Sequence, residues 1–303
     1  IIVVGDLLPL FFAWSSGTDY FFIGTPKSDY TWTSGPHFSA SDYYHRLKGS
    51  EWDPWEYILM RSNRCKMVAV RDKITARGLR NNGVELALSA NPMMDGFASR
   101  EHPQELNEYR RVILLCGSRF PEAYQNFQKL LIGIQNIQTS SPLAILAALS
   151  SNLKLKKIEF ILANLGFKPI NKSINGLNTS SCWTKNSILL IIGIDQFERC
   201  ARWGEVGVAN AGTATEQLVG LGIPCVSLPG QGPQFNLNFA KRQSRLLGGA
   251  VAISTDSKDL AKRVEFLLNS ETDRKAIGLK GSKRMEKEGG SKSLGALIAS
   301  KLV

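Results

Sequence analysis

The chain has 303 residues, 43% of them hydrophobic and 21% charged, with a formal net charge of +11. That composition belongs to a globular protein, not a disordered or fibrous one, and the length suffices for two domains with separate cores. The longest apolar runs, 1–14 and 187–194, fall short of the roughly 20 residues of a membrane span, and Asp6 and Pro9 break the first. Five cysteines (65, 116, 182, 200, 225) are scattered and odd in number, which points to reduced thiols in a reducing intracellular compartment. The charge is uneven. Residues 61–80 carry seven Lys/Arg against one Asp, net +6, and residues 151–185 carry six Lys against one Glu, net +5. Such runs can serve an anionic membrane surface, nucleic acid or plain solubility. No nucleic-acid-binding signature is present and the aromatics are not interleaved with the basic runs, so no nucleic acid is expected.

Taken in order, residues 1–4 read as a strand ending at Gly5-Asp6, 7–14 as a short helix and 20–23 as a second strand. Gly24-Thr-Pro-Lys27 opens a long loop, rich in Ser, Gly, Pro and aromatics, that runs to Glu51. Asp53-Pro54 reads as a helix N-cap followed by proline at the first helical position, and the helix continues through Trp55, Ile58 and Leu59 to Arg61. A strand at 65–70, a helix at 72–81 ended by Gly83, a strand at 84–88 and the turn-rich Asn91-Pro-Met-Met-Asp95-Gly96 follow. The polar stretch 99–111 reads as an interdomain linker, which gives a first domain over 1–101 and a second over 102–285.

A strand at 111–116 delivers Gly117-Ser118-Arg119, and Pro121 starts a helix. Ser118 and Arg119 stand just past a strand end, where a hydroxyl and a planar guanidinium can grip a diphosphate; an ordinary solvated loop arginine is the alternative. Residues 143–149 and 158–165 read as helical, 171–186 as a polar loop and 187–193 as a strand. The most informative stretch is Trp203 to Asn236. Val206–Ala209 is an apolar run too short for a helix, closed by Asn210 and Gly212, and reads as a buried parallel strand. A helix from Thr213 to Gly222, a strand at 224–228 and the loop Pro229-Gly-Gln-Gly-Pro233 complete a strand-helix-strand unit. Its Gly-containing turn lies at the carboxyl end of the first strand, the edge where doubly wound sheets bind ligands.

In that turn Gly212 lets the backbone approach a ligand. The N–H groups at the start of the Thr213 helix suit a phosphate, and Glu216, one turn in, can accept both hydroxyls of a ribose. Thr213-x-x-Glu216 also reads as a capping box, which needs no ligand. Beyond it lie a helix at 237–247, a strand at 250–253, a helix at 257–268 and a basic helical tail, 286–303. Strands alternating with helices throughout mean an α/β protein with parallel sheets.

What is absent narrows the chemistry. There is no G-x-G-x-x-G, no G-x-x-x-x-G-K-[ST], no G-x-S-x-G and no Asp-x-Asp, and His37, His45 and His102 show no metal spacing. A nucleotide diphosphate would be held by helix dipole, backbone and arginine, with no metal and no cofactor.

The motifs resemble a known family. Leu115-Cys-Gly-Ser-Arg119 is similar to the L-P-G-S-R of lipid-A-disaccharide synthases, with Cys116 replacing proline. Asn91-Pro-Met-Met-Asp95 resembles that family's G-N-P/G-H-T…D segment, with Ala90 where glycine is usual. Ala211-Gly-Thr-Ala-Thr-Glu216 is similar to its S-G-T-A-T-x-E. Gly212 to Asn236, Ala69-Val-Arg-Asp72 and Gly24-Thr-Pro-Lys-Ser-Asp29 resemble the lipid-A-disaccharide-synthase-related proteins of cyanobacteria and plant plastids.

The resemblance implies a GT-B fold, two Rossmann-like domains with parallel sheets facing across a cleft, the second holding the sugar nucleotide. It implies a metal-independent inverting glycosyltransferase with a UDP-sugar donor and a lipid-linked acceptor. Such a protein would work in a plastid or the cytoplasm, peripheral to a membrane. By resemblance, Gly212, Thr213 and Glu216 hold diphosphate and ribose, Ser118 and Arg119 hold the diphosphate from the other side, and Gln234 and Asn236 reach the donor sugar. The family takes its carboxylate base from the first domain. Asp6 is the candidate here, although an Asp after a strand also reads as a helix cap. Complete members begin with a Gly-rich strand-loop-helix region that this chain lacks, so its first domain is expected to be incomplete. Two other readings stay open: a non-catalytic sugar-nucleotide-binding pseudoenzyme or truncated product, and a sugar-nucleotide epimerase on the same fold.

Overall fold

The computed structural model describes residues 1–33, 35, 40–97, 101–230 and 235–302. The chain begins with β1 (Ile2–Val4), α1 (Leu7–Ser15), β2 (Tyr20–Gly24), α2 (Tyr30–Thr33), α3 (Ser41–Lys48), α4 (Pro54–Met60), β3 (Cys65–Val70), α5 (Lys73–Asn81) and β4 (Ala87–Ser89). Next come β5 (Arg110–Leu115), α6 (Glu122–Ile134), β6 (Leu143–Leu149), α7 (Leu155–Asn164), β7 (Lys168–Ile170), β8 (Thr179–Lys185) and β9 (Ile188–Ile194). The rest is α8 (Phe197–Cys200), β10 (Val206–Ala209), α9 (Thr213–Gly220), β11 (Cys225–Ser227), α10 (Leu237–Leu246), β12 (Val251–Ile253), α11 (Ser257–Asn269), α12 (Glu271–Ser282) and α13 (Gly290–Leu302). Two compact units result. The first is Ile1–Asp95 with Arg245–Gly248 and Lys283–Val303; the second is Gly96–Ser244 with Gly249–Ser282.

In the first unit four parallel strands pair in the order β1-β2-β3-β4. Successive residues of a strand face opposite sides, so adjacent apolar residues fill two cores. Phe22, Val68 and Val70 meet Leu10 and Ala13 of α1, Tyr57, Leu59 and Met60 of α4, and Ala76 and Leu79 of α5. Phe21, Ile23, Met67 and Ala69 turn the other way, to Leu294, Leu297 and Ile298 of α13. The Asn91–Asp95 segment anchors that last helix. Asp95 accepts from the backbone N–H of Gly289 and Ser291 at 2.5 and 2.6 Å, Asn91 Nδ2 donates to Met285 O at 2.8 Å, and a Cβ on Gly290 would stand 2.4 Å from Asn91 O. The long loop expected after Gly24 contains α2 and α3 instead. Asp42 lies in the first turn of α3 and Gly49, at φ 71°, ends it, local helix signals that the Ser- and Gly-rich surroundings masked.

The second unit has one eight-stranded sheet in the order β12-β11-β10-β5-β6-β9-β8-β7. It is parallel except where β8 runs antiparallel to β9 and β7. Two expectations are corrected here. Residues 143–149, read as helical, are β6, because Leu-Ala-Ile-Leu-Ala-Ala-Leu shows no decisive period and its pairing with both β5 and β9 overrides local preference. The polar stretch 171–186 contains β8, whose Thr and Ser residues fit the outer part of the sheet while Cys182 and Trp183 are buried. At the amino ends of β5 and β10, Glu205 takes Arg110 at 2.8 Å and Arg274 at 3.5 Å. All five cysteines are buried and free, each thiol pushed above its ordinary value by burial. Among the described residues no helix is long and apolar enough to cross a membrane.

Candidate functional site

Strand order creates the site. The chain leaves β5 for β6 on one side, and after β9 it returns to β10 on the other side of β5, continuing outward to β11. Neighbouring parallel strands whose connections depart in opposite directions leave a crevice at their carboxyl ends. A cavity of about 550 Å³ lies there. Gly117, Ser118 and Arg119 reach it from β5, Leu149 and Ser150 from β6, Asp195 from β9, and Asn210 to Ala214 from β10. Helices α6 and α9 begin at it, contributing Glu122 and Asn126, and Thr213, Ala214 and Gln217; Phe197, Phe235 and Phe239 supply an apolar wall.

Buried amides hold the turn after β10 from behind. Asn210 Nδ2 donates to Leu228 O at 2.7 Å and to Asn126 Oδ1 at 3.2 Å, while Asn210 Oδ1 accepts from Leu228 N at 3.1 Å. Asn126 Nδ2 reaches Cys116 O at 3.3 Å, which ties the turn after β5 into the same network. Gln243 Nε2 donates to the carbonyls of Ala211 and Gly212, both at 3.1 Å, and Thr215 Oγ1 donates to Ala211 O at 2.7 Å. Within the first turn of α9, Thr215 N and Glu216 N donate to Gly212 O at 3.1 and 3.3 Å, so the donors that the helix start can offer a ligand are those of Gly212, Thr213 and Ala214. Gly117 needs to be glycine: its φ is +83° and a Cβ would stand 3.1 Å from Asn210 O. At Gly212 the space is open: apart from Gly212 itself and its two chain neighbours, no described atom lies within 4 Å of where a Cβ would be.

Of the residues singled out in the sequence, Ser118, Arg119, Gly212 and Thr213 come together on this cavity, although Ser118 and Arg119 are some 95 residues upstream of the turn. Glu216 is not among the lining residues; Gln217, the next residue, is. Asn236 stands before α10, its Oδ1 accepting from Phe239 N at 2.9 Å. Gln234 and His37 lie outside the described residues. Asp6 is in the first unit, exposed at the N-cap position of α1 without a side-chain capping bond. The capping-box reading of Thr213-x-x-Glu216 is corrected: Gly212 is the N-cap and, among the described residues, no side chain caps this helix. Asp53 and Glu56 do form a capping box at α4, with Asp53 N donating to Glu56 Oε2 at 2.7 Å.

Sequence reasoning missed Asn126, Gln243 and Asp195. Asp195 carries the one local signal, a φ of 51° at a strand end, uncommon for a residue other than glycine. The amides give none, because their partners are distant in the chain. The two helix starts and Arg119 favour an anion, whereas Glu122 and Asp195 are acceptors suited to hydroxyl groups. A ligand with both anionic and polyhydroxyl parts matches that mixture. Cys116, pushed up to about 12 by burial, is no nucleophile.

No protein-family model and no curated protein sequence matches the chain. Solved structures do. Staphylococcus aureus MnaA, in its complex with UDP, aligns with a TM-score of 0.59 at 13% identity, over 99% of this chain and 74% of that one. The calicheamicin glycosyltransferase CalG4 aligns at 0.56 and 12% identity, over 98% and 72%. The Methanocaldococcus jannaschii UDP-GlcNAc 2-epimerase, in complex with UDP-GlcNAc and UDP, aligns at 0.51 and 12% identity, over 99% and 75%. The fold is of the GT-B type. In this GT-B chain the cavity lies wholly within the second unit, at the switch point between β5 and β10.

Proposed function

We propose that the protein is a sugar-nucleotide enzyme, a metal-independent inverting glycosyltransferase related to the lipid-A-disaccharide synthases, with a UDP-sugar donor and a lipid-linked acceptor. One observation carries the donor site: the starts of α6 and α9 converge with Ser118, Arg119 and the open turn at Gly212 on one cavity at the switch point. In this reading the backbone N–H groups of Gly212 and Thr213 take the diphosphate from one side, and Ser118 and Arg119 take it from the other. Glu216 or Gln217 serves the ribose, and Gln234 and Asn236 serve the sugar. An acceptor hydroxyl attacks the anomeric carbon as the bond to the diphosphate oxygen breaks, and UDP leaves with that electron pair. A carboxylate, proposed as Asp6, takes the hydroxyl proton. Charge developing on the departing phosphate is stabilised by the helix starts and Arg119, groups already oriented before reaction. Calorimetry with UDP, with and without EDTA, tests the binding step: unchanged affinity is expected, and affinity that vanishes on chelation rejects it.

An epimerase is the second reading, favoured by the likeness to a UDP-GlcNAc 2-epimerase beside that to a glycosyltransferase. Product analysis separates the two. Transfer releases free UDP and a glycosylated acceptor, whereas epimerisation returns an isomerised sugar nucleotide. UDP binding without turnover of any sugar nucleotide marks a pseudoenzyme.

A further inference from the structure

The second unit contains another hollow, of about 340 Å³, that shares no lining residue with the cavity at the switch point. Cys225, where β11 begins, and Ala250 and Ala252, just before and within β12, line one side of it. Phe266 of α11 and Ile277 of α12 line the other. Strands β11 and β12 run parallel to β10 and β5, so their amino ends lie on the sheet edge opposite the first cavity.

The walls of this hollow are fixed. Gly278 of α12 lies so close to Gly222 O that a Cβ has no room there. Arg274 Nη1 donates to Leu267 O at 2.9 Å and to Leu268 O at 3.1 Å, which ties α12 to the end of α11. Interiors pack to nearly crystalline density and rarely keep a void larger than a water molecule. Here the helices cannot shift inward to close one, and small apolar residues such as Ala250 and Ala252 give water few partners. Among the lining residues the charged ones are both cations, Lys262 and Arg263, and both are exposed. Asp259 already engages Arg263, with Nε 3.0 Å from Oδ2. Lys262 has no ion pair among the described residues.

We propose that this hollow binds a small alkyl monocarboxylate, its chain between Ala252 and Phe266 and its carboxylate on Lys262 Nζ at the mouth. An apolar pocket with one placed polar group at its rim fixes both the position and the direction of such a ligand. A carboxylate supplies acceptors only and an ammonium donors only, so the two match. One uncommitted cation answers a single negative charge, whereas a phosphate dianion would call for more, and a neutral hydrocarbon would leave Lys262 unused. The site belongs to the second unit alone and does not depend on the reading of the sugar-nucleotide cavity.

Calorimetry with hexanoate, octanoate and octanol on the full chain tests it. Octanoate should bind and raise the melting temperature. Hexanoate should bind roughly tenfold more weakly, since each methylene is worth roughly fourfold. Lys262→Gln should weaken octanoate about fivefold, a modest effect because the pair is exposed, and leave octanol unchanged. Ala252→Leu fills the hollow and should weaken both ligands about tenfold or more while UDP affinity stays the same. If that variant melts early, Phe266→Ser, at a side chain 53% exposed, removes a wall instead and should also weaken both. Failure of octanoate to bind overturns the proposal, as does octanol binding equally well or octanoate binding unchanged in the Ala252 and Phe266 variants. So does a ligand-free dimer that Phe266→Ser converts to monomer, which would assign the hollow to a second copy.

Discussion

Asp29 and Gly78 occupy adjoining space: a Cβ on Gly78 would stand 2.2 Å from Asp29 Oδ2. Asp29 is 1% exposed. Its Oδ1 accepts from Glu51 N at 2.6 Å, Ser50 Oγ at 3.2 Å and Trp32 Nε1 at 3.4 Å, while the buried Oδ2 has no hydrogen-bond partner. Lengthening Gly78 to Ala has nowhere to go, because the carbonyl of Gly49 also stands 3.0 Å from that Cβ. Gly78→Ala should cost about 1–3 kcal/mol of stability, read by urea denaturation. An unchanged midpoint would mean that the two residues are not held as tightly as the geometry indicates.

Burial outweighs those donors and pushes the Asp29 carboxyl up from 3.8 to about 7. The folded state therefore binds this proton more tightly than the unfolded chain does. The resulting stability is fully present below about pH 4 and is lost as pH rises through about 7. We expect the wild-type protein to lose roughly 1–3 kcal/mol between pH 5 and pH 8 relative to Asp29→Asn. The amide keeps an acceptor for the three donors and carries no charge at either pH. Parallel stability curves for the two proteins would reject the assignment.

Asn210 anchors the turn after β10, beside the proposed donor site. Asn210→Ala leaves both backbone groups of Leu228 without their side-chain partner, at about 1–3 kcal/mol for each group left unpaired in the interior. A lower melting temperature together with weaker UDP binding is expected. Weaker binding at unchanged melting would place Asn210 in contact with the ligand instead.

The sequence placed the ribose on Glu216, whereas Gln217 is the residue that lines the cavity. Since Gln217 lines the cavity and Glu216 does not, Gln217→Ala should weaken UDP binding about tenfold, and Glu216→Gln should leave it within about a factor of two. Calorimetry on the pair decides. The reverse order of effects would give the ribose to Glu216.

Arg119 is exposed, so Arg119→Ala should barely change the melting temperature. Loss of its charge-assisted bonds to a diphosphate should cost roughly 1.5–3 kcal/mol of binding, a tenfold to hundredfold fall in UDP affinity. Intact affinity would reject the proposed role of Arg119 in binding the diphosphate.

Much of the fold was legible because its signals are local. Cys65–Val70 and Val206–Ala209 are apolar runs bounded by turns or caps, and a strand buried on both faces has that pattern wherever it occurs. Asp53 before Pro54 starts α4, and the Asp72 carboxylate accepts from Thr75 N at 2.8 Å to start α5, each an interaction within one turn. The Gly117-Ser118-Arg119 and Gly212-Thr213 turns were legible for the same reason, as glycines and polar residues directly after strands.

By itself, then, the amino-acid order determined most strands and helix starts and the two turns that bear the candidate site, since caps, turns and short apolar runs act over a few residues. Only the tertiary structure decided that Leu143–Leu149 is a strand, because its neighbours β5 and β9 supply the pairing that its own composition does not. It also decided which side of α4 faces outward, since Glu56 is buried by a lysine 29 residues earlier in the chain. And it decided that Asn126 and Asn210, 84 residues apart, share a hydrogen bond beneath one cavity, because parallel strands become neighbours only through long crossovers whose end point no local signal records.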